Sequence, residues 1–263
     1  MTKVLPKNLT SYDLLKTFAL VLMIFDHVGY YFFPEHLWLR ALGRLSAPVW
    51  LFLIGYAQSR DFSPRMWIGI ALMALSAVAV GQALLPLTIL ATMLVARAIL
   101  DPVMNIVRRQ PQTLYFFAAI FFVGTFFTYQ VLEYGTEVFM IVMLGYMVRH
   151  RDELPFKKDQ IFQFMLVATT AHMFFQTLVF FTFSSAQMGF VVLASLALMS
   201  GLLKFRGCEY AALTKKMPAP VTWFCQLCGR RSLEIYVLHI AIFRFVALYL
   251  GVEGLSLFNF HIF

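Results

Sequence analysis

LLKTFALVLMIFDHVGYYFF, residues 14–33, is an apolar run with one lysine near its start and an Asp-His pair past its middle. A bilayer core about 30 Å thick needs roughly 20 apolar residues in a helix. The stretch therefore reads as a membrane-spanning helix that carries ionisable groups inside it. Similar runs recur along the chain, at 45–60, 66–80, 83–100, 113–132, 136–148, 160–183, 187–203 and 232–250. Backbone groups in lipid must find partners within their own segment, so these runs mean helices. A lipid-facing barrel would show short alternating segments instead. Composition agrees: 61% of the residues are hydrophobic and 13% charged, against about 25% charged in a soluble domain. The expectation is an all-α integral membrane protein, with about nine transmembrane helices (range about 8–10) in a single bundle covering 1–263.

The first run is long and lacks a small-residue cleavage site, so it reads as a retained helix rather than a signal peptide. No internal repeat is visible. The net charge is +8, but the basic residues flank membrane ends. Topology and anionic lipid explain that placement, and no nucleic-acid partner is expected. With nine spans, Lys3, Lys7, Arg60, Arg65, Arg108, Arg109, Arg149 and Arg151 fall on the side of the N-terminus. The positive-inside bias then places 1–13 and the basic loop 204–231 in the cytoplasm and the tail 251–263 outside. Arg40 and Arg44 break the pattern, since 34–44 should face outward. At i and i+4 they share a helix face. They are either solvated interfacial arginines or the lining of an outward polar site.

Asp26 and His27 lie inside the first span, where ionisable groups are functional candidates because burying them in lipid is expensive. As neighbours on a helix they point about 100° apart and cannot form a dyad with each other. Asp26 is expected to pair with Arg40 or Arg44, and His27 to face a cavity. Lys16 precedes His27 by eleven residues, which puts both on one face about 16 Å apart. That separation suits coenzyme A, with its phosphates at one end and a thioester at the other; taken alone, Lys16 reads as a snorkelling lysine. In Ser232-Leu-Glu-Ile-Tyr236-Val-Leu-His239, Tyr236 and His239 share a face, as either packing or site residues.

The stretches 15–29 and 39–53 resemble the opening of TraX-type membrane proteins, and 232–243 is similar to that family's last helix. The resemblance implies a bacterial inner-membrane protein and an acetyltransferase; the founding member acetylates the N-terminus of conjugative pilin. The spacing from Lys16 to His27 also resembles the basic-x10-His motif of the larger acyltransferase-three family. There the histidine is the proposed base and the basic residue handles the acyl donor. A lysine stands here where that family more often has arginine.

The expected activity is acyl transfer from acetyl-CoA to an amine or hydroxyl on a pilin, an envelope polysaccharide or a lipid. Lys16 would meet the donor phosphates, with Arg40 as a further binding residue. His27, whose ordinary pKa near about 6.5 suits a base at neutral pH, would take the acceptor proton or itself carry the acyl group. Arg44, Arg40 or Tyr236 would steady the oxyanion. A proton-coupled transporter or flippase using Asp26, His27, His172 and His239, and a non-catalytic scaffold for pilus or envelope assembly, are the rival readings. Glu133 and Glu137 read as solvated loop acids, and His172 with Gln176 as hydrogen bonds between helices. Cys208, Cys225 and Cys228 lack a clear fourth ligand, and no metal is expected.

Overall fold

The computed structural model describes residues 6–179, 182–259 and 262, with the side chains of 178 and 179 excepted. Lys3 and residues 180–181 of the expected span 160–183 lie outside them. Regular structure among the described residues is helical throughout, with no strand.

The first helix, α1 (Ser11–Tyr31), starts where a capping box forms. Thr10 accepts from the Asp13 backbone N–H at 3.1 Å, and the Asp13 carboxylate accepts from the Thr10 N–H at 3.0 Å. These bonds satisfy two N–H groups that a helix start otherwise leaves without partners. The next apolar stretch begins earlier than the sequence suggested. Residues 34–44, read as a connection, contain α2 (Leu37–Gly43), and α3 (Ser46–Tyr56) follows directly. Pro48 explains the break, because it has no N–H to give the Arg44 carbonyl and its ring crowds that oxygen.

Next come α4 (Pro64–Ala79), α5 (Ile89–Arg109), α6 (Thr113–Thr128), α7 (Val138–Arg149), α8 (Lys158–Val179) and α9 (Ser185–Leu202). The span expected at 83–100 is shifted in α5. Pro86 lies in the non-helical segment before it, and the helix runs on past Leu100 through Asp101 to Arg109. Helix can continue after the apolar run has ended, so hydropathy marks the bilayer rather than the helix. The expected basic loop 204–231 is likewise mostly structure. It holds α10 (Ala211–Lys216) and α11 (Ala219–Arg230), and the latter packs on α1. A Cβ on Gly229 would lie 2.5 Å from the Asp13 Cα, so only glycine permits that approach. The last helix is α12 (Ser232–Tyr249), and the segment after it folds back, with the Ser256 N–H on the Val80 carbonyl at 3.1 Å.

Five stretches are long and apolar enough to cross a membrane: Ser11–Tyr31, Leu37–Tyr56, Ile89–Arg109, Ser185–Leu202 and Ser232–Tyr249. Large side chains such as Phe116, Phe127 and Leu193 cover the outside of the bundle. An apolar surface of that extent is what lipid, not water, accommodates. The chain is a multi-pass membrane protein. Its core lies around α7, where Val138 to Val148 are all buried.

Candidate active site

Two histidines far apart in sequence meet where α1 and α12 pack together. His27 Nδ1 lies 2.8 Å from His239 Nε2, and His239 Nδ1 lies 2.8 Å from the carbonyl oxygen of Ile235. A carbonyl can only accept, so His239 Nδ1 carries the hydrogen. In a neutral imidazole the other nitrogen is then an acceptor. His239 Nε2 accordingly accepts from His27 Nδ1–H, which leaves the lone pair of the neutral pair's chain on His27 Nε2. The Tyr236 ring stands one turn before His239, 6.4 Å from the His27 ring.

Asp26 points the other way, into α2. Arg44 Nη2 donates to both of its carboxylate oxygens, at 2.6 and 2.5 Å, and Arg40 Nη1 lies 3.0 Å from Oδ2. The two arginines of the exceptional 34–44 segment therefore serve one buried carboxylate, and Arg44 also reaches Gln176 on α8 at 3.5 Å. Gly43 makes the approach possible, since a Cβ there would sit 2.2 Å from the Asp26 Cβ.

A cavity of about 730 Å³ runs beside these groups. Near the N-terminal end of α1 its wall includes Tyr12, Lys16, Arg65, Arg230 and Glu234. His27, Trp50 and Tyr236 line its middle, and Tyr31, Arg40, Glu133, Tyr134 and Arg244 its far end. Tyr12 and Tyr31 are separated by about 28 Å of helix, close to the thickness of a bilayer core. Arg65 is ion-paired with Glu234, and Arg230 donates to the Pro6 carbonyl at 2.7 Å, so the basic end is held in place.

Of the residues singled out in the sequence, Lys16, Asp26, His27, Arg40, Arg44 and Tyr236 all line this cavity. His239 does not; it stands behind His27 and touches the cavity through it. The reading of Glu133 and Glu137 as solvated loop acids is wrong. Their turn folds inward, and the Glu133 carboxylate accepts from the Ile89 N–H at 2.6 Å. Burial pushes the Glu133 pKa up, and that N–H offsets part of the rise. Glu137 is fully buried, 2.8 Å from His172 Nδ1.

Arg244 escaped the sequence reading altogether. It is buried on α12 and donates to the Gln82 side chain at 2.8 Å and to the Met73 carbonyl and Ser76 hydroxyl at 2.6 Å. The signal was present: a lone arginine inside an apolar span is as costly as the Asp-His pair of α1.

The conserved-family profile described as TraX protein matches residues 11–247, from the first turn of α1 almost to the end of α12. The chain belongs to the TraX family. Both histidines and every cavity-lining residue named above fall inside the matched region. An uncharacterized protein of Rickettsia prowazekii (strain Madrid E) is 26% identical over 148 residues, or 56% of this chain and 60% of that relative. The alignment thus spans less than two thirds of the relative's length. No solved structure matches the TraX-family chain described here.

Proposed function

We propose that this TraX-family protein is a membrane-embedded acyltransferase that moves an acetyl group from acetyl-CoA to an amine or hydroxyl acceptor. One observation carries the reading: a histidine lone pair, directed by a second histidine, lies midway along a cavity that reaches both ends of α1. The donor fits that cavity by charge and length. Lys16, with Arg65 and Arg230 beside it, would meet the phosphates at the N-terminal end, about 16 Å from His27 along the helix.

His27 Nε2 would take the proton of the acceptor as its nitrogen or oxygen attacks the thioester carbonyl carbon. A new C–N or C–O bond forms, the C–S bond breaks, and His27 returns the proton to the departing sulfur. Throughout, the His27 Nδ1–H remains on His239, which keeps Nε2 turned to the reaction. The Tyr236 hydroxyl, which has no hydrogen-bond partner among the described residues, would donate to the developing oxyanion. Asp26, Arg40 and Arg44 hold one another and shape the wall beside it.

In this reading the protein sits in the bacterial inner membrane in nine spans, with its N-terminus in the cytoplasm and its C-terminus outside. The donor enters from the cytoplasm, and a pilin N-terminus, a polysaccharide or a lipid approaches from the far end. Resemblance of the Lys16–His27 spacing to the acyltransferase-three family supports the same roles. Sealed proteoliposomes of known orientation test it, with labelled acetyl-CoA and acceptors placed on chosen sides. Label should reach an acceptor on the side opposite the donor. Transfer only with both on one side would end the two-sided model. The reach of the cavity to both ends of α1 also supports a transporter or flippase reading, which predicts movement of a substrate with no acetyl transfer at all.

A further inference from the structure

Arg244 is 8% exposed, and its hydrogen-bond partners, Gln82, Met73 and Ser76, are all neutral. Its Nη2 has no hydrogen-bond partner among the described residues, and the side chain lines the far end of the cavity. A buried charge without a counter-charge is expensive. Met73 and Ser76 lie toward the C-terminal end of α4, whose dipole supplies only about half a negative charge. Asp26 cannot supply the rest, because Arg40 and Arg44 already surround it. Glu133 shares the cavity, but its carboxylate is bound to the Ile89 N–H and burial favours its neutral form. This end of the cavity therefore carries an excess of positive charge.

We propose that Arg244 is a binding residue for an oxyanion, a carboxylate or phosphate carried by the acceptor. The proposal rests on the acyltransferase reading for the word acceptor, but the binding itself does not. Arg244 follows His239 by five residues, roughly 7–8 Å along α12. The acceptor would thus carry its oxyanion several bonds away from the amine or hydroxyl that is acetylated. Guanidinium suits the task, since its planar fork matches the paired oxygens of either group. Gln82, which also lies 3.4 Å from the Tyr31 hydroxyl, holds the fork in place from the side opposite Nη2.

The full-length protein in phosphatidylcholine nanodiscs provides the test, with inorganic phosphate or acetate titrated against chloride at matched ionic strength. A ligand that binds only the folded state raises the unfolding midpoint. The midpoint should rise saturably with phosphate or acetate and not with chloride. Arg244→Gln should weaken that apparent affinity at least tenfold and Arg244→Lys about threefold, while Lys16→Ala and His27→Ala keep the Arg244-dependent rise. Discs containing phosphatidylglycerol separate the sources of the oxyanion. A rise produced by this lipid and lost in Arg244→Gln assigns the site to a headgroup, and a rise from the free anions alone assigns it to a soluble acceptor. No saturable rise in any arm, or one unchanged in both Arg244 variants, overturns the proposal. Phenylglyoxal labelling of the wild-type protein guards against a misfolded variant: phosphate or the anionic lipid should shield Arg244, and equal labelling with and without them also overturns it. Loss of acetyl transfer in every assay would sink the acyltransferase reading and leave this binding result standing.

Discussion

The seam between α3 and α7 and the seam between α1 and α12 are made from comparably apolar helices, yet one is closed and the other holds a cavity. Gly55 and Gly145 close the first. A Cβ on Gly55 would lie 1.8 Å from the Val142 carbonyl oxygen, and one on Gly145 2.1 Å from that of Phe52. Small residues let helix backbones touch, and packing in lipid depends on that contact. Along the second seam stand His27, Tyr236 and His239, whose rings pack at centroid distances of 5.0 to 6.4 Å. Rings and charged chains keep these helices apart on one side, and the cavity occupies the space. Mean hydropathy does not separate the two seams; the size and polarity of a few residues do.

The contrast is broken most directly at His27. His27→Ala should lower acetyl transfer by about 10²–10⁴-fold, the usual contribution of a positioned general base. Its unfolding midpoint should stay near that of the wild type. Turnover within a few-fold of wild type would make the α1–α12 seam no more catalytic than the other.

Asp26→Asn should act on stability instead. It leaves Arg40 and Arg44 crowded around a neutral amide, and breaking a buried pair costs about 3–5 kcal/mol. Denaturant unfolding in mild detergent would show it, and an unchanged midpoint would contradict the pairing. Gly145→Ala probes the closed seam, where overpacking costs about 1–3 kcal/mol. Gly189 on α9 is its control, because a Cβ there meets nothing within 4 Å. Equal effects at the two glycines would remove the argument from backbone contact.

His239→Ala should cost less than His27→Ala. It removes one hydrogen bond, worth about 0.5–1.5 kcal/mol, or roughly tenfold in kcat at most. His239→Gln should recover part of the loss, since an amide oxygen can also accept from His27 Nδ1–H. A loss in His239→Ala as large as that of His27→Ala would instead assign His239 a direct part in the chemistry. Smallest is Lys16→Ala, where losing a partly exposed charge contact of about 0.2–1 kcal/mol should raise KM for acetyl-CoA by no more than about fivefold and leave kcat in place. An unchanged KM with depressed kcat would move Lys16 out of the donor site.

Much of the candidate site was legible along single helices. Lys16, Asp26 and His27 stood out because charge inside a twenty-residue apolar run is rare and expensive, and helical rise set their spacing. The Arg40–Arg44 anomaly followed from counting basic residues on each side of the membrane. Arg244 carried the same kind of signal and was passed over, because attention to α12 stopped at His239. Glu133 and Glu137 were misread for a different reason. A polar turn between apolar runs looks solvated, and nothing local reveals that it folds inward against α5 and α8.

The sequence by itself determined that this is a helical membrane protein and which faces of α1 and α12 carry polar groups. Both follow from local rules, because hydropathy and a 3.6-residue period act within one segment. Only the tertiary structure decided that His27 meets His239, 212 positions away, that Glu137 lies buried on His172, and that a cavity separates α1 from its neighbours at all. Those outcomes depend on which helices lie side by side and how closely glycine lets them approach. In lipid every apolar face is nearly equivalent to every other, so periodicity along one helix cannot choose its partner.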